Sequence, residues 1–430
     1  MISRRNFLGA SAATLAGATA TPTCIEAQAQ QGEDDLPPSI LALTSMKDEA
    51  TPITLEERRQ RIEKARRLMR ANDLDAILLI GGTSLVYYAN VSWWNSERLF
   101  ALILPVEGRP FVVTPAFEED RTREQLDTGP LAGDDVDVLT WHEDDDPYRL
   151  VAQGLRERGR STGRLGIEET VRFVFSHGVA QAAPSLQLAS ATPVTAGCRG
   201  VKTAHELALM RLASKVTLKA YDAAWRGLKD GMTQQRFAEL VAAAHDRLGF
   251  SGGAGVQVGE YSALPHGSSA PQVIREGTIL LIDGGCGVEG YRSDISRTFV
   301  LGQPTEKMKR VFQIAVRAQT AALRAAAPGV PCEAVDRAAR TVIEEAGFGP
   351  DYAFFTHRVG HGIGMDGHEW PYLVRGNTQP LEPGMTFSDE PGIYIPGEFG
   401  VRLEDDMVIT EDGAELMTLQ SRSLEEPFGG

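Results

Sequence analysis

One pattern occurs twice in the second half of this chain. In each copy two predicted helices precede a glycine, an apolar strand follows it, and an acidic residue ends the strand six residues after the glycine. A second acidic residue lies on the segment that returns. These residues are Gly277, Asp283 and Asp294 in the first copy, and Gly384, Glu390 and Glu404 in the second. Residues 199–425 are therefore predicted to form an α+β domain of two related halves with an internal pseudo-twofold repeat.

The four helices of the repeat are predicted from apolar residues at spacings of three and four. Thr203 and Glu206 form a capping-box pattern at the start of the first helix, and Gly249 ends the second. The predicted ranges are 203–229, 234–248, 305–327 and 333–346.

The first half of the chain has a different organisation. A helix pattern over residues 55–71 is followed by an apolar strand over residues 75–80, and further strands and helices alternate after it. This alternation predicts an α/β domain over residues 53–198, in which we find no catalytic constellation. Residues 30–52 are polar and contain two consecutive prolines, which favours a linker.

The first residues are typical of an export signal. Arg4 and Arg5 precede a weakly apolar run, which is a twin-arginine pattern, and Ala27-Gln28-Ala29 matches a cleavage site. The run is shorter than the ~20 residues of a membrane helix. We expect residues 1–29 to be a Tat signal peptide, and the mature chain to be periplasmic or secreted and without a membrane span. A disordered cytoplasmic tail is the alternative.

Charge and cysteine content exclude some partners and sites. The net charge of −15 argues against nucleic acid, because binding phosphates requires a basic surface. Three widely spaced cysteines follow the predicted signal, namely Cys198, Cys286 and Cys332. They form neither a disulfide framework nor a zinc ribbon.

The four acids of the repeat are predicted to converge when each hairpin folds back. Bare carboxylates at that distance would force large rises in pKa, and two divalent cations would remove the conflict. A single such acid is more often a solvated turn residue, but Asp283 ends an apolar strand, where a free carboxylate is costly. His361, between two glycines, is the expected fifth ligand. Such a donor set suits Mn²⁺, with Co²⁺, Fe²⁺ and Zn²⁺ as alternatives.

This ligand set resembles that of the pita-bread, or M24-type, metallopeptidases, which include methionine aminopeptidase, aminopeptidase P and prolidase. Gly360-His361-Gly362-Ile363-Gly364 and Glu390-Pro391-Gly392 carry the resemblance. Residues 87–94, with the sequence YYANVSWW, are similar to the creatinase-type N-terminal domain that accompanies Xaa-Pro peptidases. The resemblance implies a homodimeric dinuclear hydrolase that cleaves an Xaa-Pro bond next to a free N-terminus in dipeptides or short peptides. The alternatives are a creatinase-like C–N hydrolase or a lyase on the same scaffold, and a metal-free binding protein.

The resemblance also assigns roles to residues. Asp283 would bind one metal, Asp294 and Glu404 would bridge both, and His361 and Glu390 would complete the other. Glu390 would also carry a proton. The residues assigned to the substrate and the rest of the site are His266, His368, Arg402 and, as receiver of a substrate carboxylate, Arg375.

Asp389 departs from the family's pattern, in which a small or apolar residue is more usual. It either alters the metal preference or points to the opposite face of its strand.

Overall fold

The computed structural model describes residues 35–428, which form two domains. The predicted signal peptide lies outside the described residues. The segment 35–53 contains helix α1, Pro38–Leu41, and a 3-10 helix, Lys47–Glu49.

This segment covers most of the predicted linker, but it is packed structure. Ile40 and Met46 are buried in the hydrophobic core of the second domain, and the hydroxyl of Ser39 donates to Ala223 O at 2.7 Å. The prediction of a linker is therefore wrong for residues 35–52, because their apolar side chains pack against the second domain.

The first domain is a six-stranded mixed sheet in the order β4-β3-β2-β1-β5-β6. Alternate residues of the central strand β1 enter two different cores, so helices cover both faces. The strands are β1 Ala76–Leu79, β2 Ala101–Pro105, β3 Phe111–Pro115, β4 Asp137–Trp141, β5 Gly163–Ile167 and β6 Leu186–Ser190. The helices are α2 Leu55–Ala71, α3 Thr83–Ala89, α4 Glu119–Asp127, α5 Pro147–Glu157, α6 Phe173–Ala182 and α7 Thr192–Gly200, with 3-10 turns at Ala116–Glu118 and Gly133–Asp135.

The predicted boundary between residues 198 and 199 falls inside α7, and residues 201–203 connect the two domains. The second domain begins with α8, Ala204–Trp225, whose capping box of Thr203 and Glu206 is present as predicted. Helix α9, Gln234–Leu248, ends at Gly249, which has a φ of 92° that glycine adopts without strain.

The second domain repeats one arrangement, a helix pair followed by antiparallel strands. The first half contains α8, α9, β7 Gly252–Val258, β8 Ile279–Val288, β9 Tyr291–Arg292 and β10 Ile295–Val300, with a 3-10 helix at Gly259–Ala263. The second contains α10 Glu306–Ala325, α11 Cys332–Glu345, β11 Gly360–Gly362, β12 Glu369–Leu373, β13 Thr386–Asp389, β14 Gly392–Ile395, β15 Phe399–Arg402, β16 Asp405–Ile409 and β17 Ala414–Leu416. The strand orders are β10-β8-β7, with β9 on β8, and β12-β11-β13-β16-β17, and β14 pairs with β15. This is the α+β repeat expected from the sequence.

The repeat places the acidic residues at matching points. β8 pairs with β10 as β13 pairs with β16, and both pairs are antiparallel. Asp294 lies in the break between β9 and β10, and Glu404 lies in the break between β15 and β16. In both halves the second acid is therefore at an interruption of the returning strand.

Within residues 35–428, no helix is long and apolar enough to cross a bilayer.

Candidate metal centre

The five predicted ligands meet at the junction of the two halves. Two groups of three have donor atoms within 4.8 Å of one another, namely Asp283, Asp294 and Glu404, and His361, Glu390 and Glu404. Glu404 belongs to both groups. Asp294 Oδ2 also lies 3.9 Å from His361 Nε2, so it stands between the groups as well. This arrangement fits two neighbouring divalent cations with shared carboxylates.

His361 is held as a neutral ligand. Its Nδ1 lies 3.1 Å from Gly362 O, which favours the proton on Nδ1 and leaves Nε2 facing Glu390 at 3.3 Å. Burial and the neighbouring His368 lower the pKa of His361 to about 3. A Cβ on Gly360 would lie 2.0 Å from Ser388 O, so only glycine lets β11 approach β13 this closely.

The clustered carboxylates disfavour one another's ionised form in the metal-free protein. Burial and the neighbouring acids raise the pKa values of Asp294 and Glu404 well above their ordinary range. Burial raises the pKa of Glu390 to about 7, although Arg402 opposes the rise. Oxygen and imidazole donors in such a cluster fit divalent metal ions, whose charge would keep these acids ionised.

Ser296 and Arg402 connect the ligands to each other. The hydroxyl of Ser296 lies 2.8 Å from Asp283 Oδ1 and 2.7 Å from Glu404 Oε2. Arg402 Nη2 pairs with Asp283 Oδ2 at 2.7 Å, and its Nε donates to Ser296 Oγ at 2.9 Å. Arg402 Nη1 donates to Pro265 O at 2.9 Å, which fixes the loop that carries His266. Arg402 therefore lies among the predicted ligands, where the resemblance expected a site arginine.

A cleft of about 720 Å³ opens over the ligands. The predicted substrate residues His266 and His368 both line it, and the ring of His368 lies 3.8 Å from that of His361. Besides the five ligands and these two histidines, the cleft is lined by Leu264, Pro265, Thr356, His357, Arg358, Val374 and Arg402.

Sequence reasoning missed four polar residues of this site: Ser296, His357, Arg358 and Tyr394. His357 Nε2 lies 2.7 Å from the hydroxyl of Tyr394, which accepts from Arg402 Nη1 at 3.0 Å. Burial and Arg402 lower the pKa of His357 to about 4. The available signal was proximity in sequence, because each of the four lies within four residues of a ligand.

Comparison with known proteins agrees with this geometry. Residues 208–411 match Metallopeptidase family M24, and residues 61–201 match the Creatinase/Prolidase N-terminal domain. An Xaa-Pro dipeptidase of Lactobacillus delbrueckii subsp. lactis is 32% identical over 372 residues, which cover 84% of this chain and 98% of that protein. The chain belongs to metallopeptidase family M24. The fold and enzyme class expected from the resemblance are thereby confirmed.

Two further relatives of this M24 peptidase are named as dipeptidases. The probable dipeptidase PepE of Mycobacterium bovis is 37% identical over 344 residues, covering 79% of this chain and 89% of the relative. The crystal structure of dipeptidase PepE from Mycobacterium ulcerans superposes with a TM-score of 0.80 at 33% identity, covering 87% of this chain and 99% of the other.

One predicted site residue of this M24 peptidase is not in the cleft. The side chain of Arg375 is 55% exposed and pairs with Asp351 Oδ1 at 2.9 Å. It lines a separate surface cavity with residues of α11. The assignment of Arg375 to a substrate carboxylate is therefore not supported by its position, because its charge is already paired with an acid outside the site.

Asp389 lies away from the cleft of the M24 centre. Ser388 and Glu390 face the ligands, since Ser388 Oγ accepts from His361 N at 3.0 Å and lies 3.3 Å from Glu390 Oε1. Asp389, between them, is fully buried on the other face of β13, and its carboxyl oxygens have no hydrogen-bond partner in residues 35–428. Burial and Asp405 raise its pKa well above the ordinary range.

Proposed function

We propose that this M24 peptidase cleaves Xaa-Pro bonds next to a free N-terminus with two divalent cations, preferably Mn²⁺, and that dipeptides are its preferred substrates. The observation that carries the proposal is the pair of overlapping ligand groups at the floor of a cleft that His266 and His368 also line. The names of the relatives, Xaa-Pro dipeptidase and dipeptidase, support the substrate class.

Proline explains why a metal centre is useful. Its amide nitrogen carries no hydrogen, and its ring fixes φ, so enzymes that read an extended strand through backbone hydrogen bonds bind it poorly. Two cations between these carboxylates would bind the free amine, polarise the scissile carbonyl and activate water. Glu390 would carry a proton from the water to the proline nitrogen as the C–N bond breaks. His266 and His368 would hold the carbonyl oxygen and the peptide's far end.

Arg358 supports the preference for dipeptides. Its guanidinium lies in the cleft, stacked over the ring of Tyr372 at 4.0 Å and 3.4 Å from His368 Nδ1. Among residues 35–428, no carboxylate lies within ion-pair distance of it, although the cleft floor is acidic. A stacked, unpaired guanidinium is suited to the C-terminal carboxylate of a dipeptide. Arg358 therefore takes the role that the sequence resemblance gave to Arg375.

A substrate panel tests the proposal. The Mn²⁺-loaded mature enzyme is assayed on Ala-Pro, Gly-Pro and Ala-Pro-Ala, with Ala-Ala as the control. We expect release of proline from the dipeptides, slower cleavage of the tripeptide, and little reaction with Ala-Ala. Inactivity of fully metallated enzyme on every proline substrate would end the Xaa-Pro proposal and favour a creatinase-like C–N hydrolase. Failure to bind metal would favour a binding protein.

Export and dimerisation complete the proposal. The twin arginines at Arg4 and Arg5 support a Tat-dependent, periplasmic or secreted enzyme. Replacing both with lysine should leave unprocessed precursor in the cytoplasm, whereas unchanged export would contradict the assignment. Exposed aromatic residues of the first domain, Trp94, Phe117 and Phe173, support a dimer surface there. A monomeric mass by light scattering at micromolar concentration would contradict it.

A further inference from the structure

A buried ionic cluster lies where the two domains meet. Glu369, at the start of β12, has a side chain that is 2% exposed, and its Oε2 pairs with Lys202 Nζ at 3.0 Å. Arg199, near the end of α7, lies 3.8 Å from the other carboxylate oxygen. Burial opposes ionisation of Glu369, but Lys202 and Arg199 hold its pKa below the ordinary value. The cluster is therefore charged.

The carboxylate of Glu369 also shapes the loop that precedes it. Its Oε1 accepts from the backbone N–H groups of Met365 at 3.1 Å and Asp366 at 3.2 Å. A Cβ on Gly364 would lie 2.7 Å from Glu369 Oε2, so the loop closes tightly around the carboxylate. An apolar side chain of the same size would offer the two N–H groups no acceptor.

The first domain holds the same loop from outside. Arg199 Nη1 donates to Asp366 Oδ2 at 2.9 Å, and the hydroxyl of Thr83, at the start of α3, donates to Asp366 Oδ1. The loop is therefore held on one side by hydrogen bonds to the Glu369 carboxylate and on the other by hydrogen bonds from the first domain.

This loop runs from one site histidine to another. It follows the ligand His361 on β11 and ends at His368, the residue before Glu369. Lys202 N also donates to Gly384 O at 2.8 Å, just before β13, the strand that leads to Glu390. The Glu369 carboxylate and its partners thus connect His368, strand β13 and the first domain.

We propose that Glu369 is a positioning residue that fixes His368 over the metal centre, and that through it the first domain contributes to catalysis. The inference rests on the proposed function, because it is read out with a proline substrate. A buried ion pair is weak evidence for stability, since packed apolar residues often do as well. A carboxylate is needed at position 369 because it accepts hydrogen bonds from the backbone N–H groups of Met365 and Asp366.

The test combines Glu369→Gln with His368→Ala in the Mn²⁺-loaded enzyme. Glu369→Gln should lower kcat on Ala-Pro roughly 10- to 100-fold, the effect of about 1 Å of misplacement, while Mn²⁺ affinity stays within about threefold. In the His368→Ala background the same change should cause no further loss of kcat, because the residue it positions is gone. Equal losses in both backgrounds, or loss of Mn²⁺ binding, would overturn the proposal.

A matched control exists at the same domain junction. Glu206 forms a similar buried pair with Arg61, at 2.9 Å, but does not contact the 363–369 loop. Glu206→Gln should lower the Tm as Glu369→Gln does and leave kcat unchanged. An equal fall in kcat would show that any damage to the junction has this effect, and would overturn the specific role of Glu369.

Two measurements keep the proposal testable if Glu369→Gln does not fold. Asp366→Asn weakens the outer anchor at a side chain that is 41% exposed, and should give a smaller loss of kcat that also disappears in the His368→Ala background. In the metal-free protein, the His368 ring signals in ¹⁵N-histidine NMR spectra should broaden or shift in Asp366→Asn. Unchanged kcat and unchanged His368 signals would contradict the proposal. Wild-type inactivity on Ala-Pro would instead reject the proposed function, and the NMR comparison would still test the positioning.

Discussion

Replacing Arg358 with glutamine removes the unpaired guanidinium of the cleft and keeps a side chain of similar length. Hydrogen bonds to a charged group contribute about 1.5–3 kcal/mol, so losing the pair with a substrate carboxylate should lower kcat/KM roughly 10- to 150-fold. The lower end applies at high salt, because the cleft is open to solvent and screening weakens the pair.

The assay compares Ala-Pro with Ala-Pro amide, which has the same scissile bond and no terminal charge. We expect wild type to prefer the free acid by the factor above, and Arg358→Gln to cleave both at similar rates. Arg358 also contacts His368, so both substrates should lose some rate, and the ratio between them isolates the carboxylate.

Arg375→Gln is the matched control, because this arginine is already paired with Asp351 outside the cleft. It should keep the wild-type ratio. If Arg358→Gln retained the preference for the free acid, or Arg375→Gln abolished it, the assignment of the carboxylate to Arg358 would be refuted.

Three further results are expected. Asp294→Ala should bind less than one equivalent of Mn²⁺ by elemental analysis, since Asp294 stands between both ligand groups; two equivalents would contradict the bridging position. Chelation should lower the Tm, and the fall should grow from pH 5 to 8. The folded apoprotein keeps protons on acids such as Glu390, whose pKa is raised to about 7, while the unfolded chain loses them, so rising pH favours unfolding. If the fall in Tm on chelation did not change with pH, the explanation by raised carboxyl pKa values would be contradicted. Asp389→Val should raise the free energy of unfolding by about 1–3 kcal/mol, because it removes an unpartnered buried carboxyl. That gain should increase with pH above ~4, where the aspartate of the unfolded chain ionises. A loss of stability in the variant would indicate that the Asp389 carboxyl has a stabilising hydrogen-bond partner.

The elements and the ligands were largely predictable because each has a periodic or repeated signal. Helix α9 matches its predicted range, 234–248, at both ends, since apolar spacing, a threonine cap and a C-terminal glycine agree. The acidic ligands were predictable because the same spacing from glycine to acid occurs in both halves of the domain.

The contacts that organise the centre carry no such signal. Glu369 and Lys202 are 167 positions apart, and neither sequence context indicates the other. Ser296 lies in a run of three polar residues on β10, and Tyr394 lies on the apolar strand β14, so neither position indicates a metal centre until the two halves of the domain are brought together. Arg375 was assigned by resemblance alone, and its pairing with Asp351 outside the cleft has no signal in the sequence. Ile40 and Met46 were overlooked because the two prolines and the charged residues of this segment are typical of a linker.

The packing of residues 35–53 on the second domain has a consequence for the order of synthesis. This segment leaves the ribosome before helix α9, where Met46 N donates to Leu248 O at 2.9 Å. Helix α9 follows roughly 200 residues later, which takes about 10–40 s at 5–20 residues per second. Ile40 and Met46 stay exposed to solvent during that interval. Their docking is therefore a late event that requires a finished helix pair. Docking of residues 35–53 would therefore mark the completion of folding in the second domain.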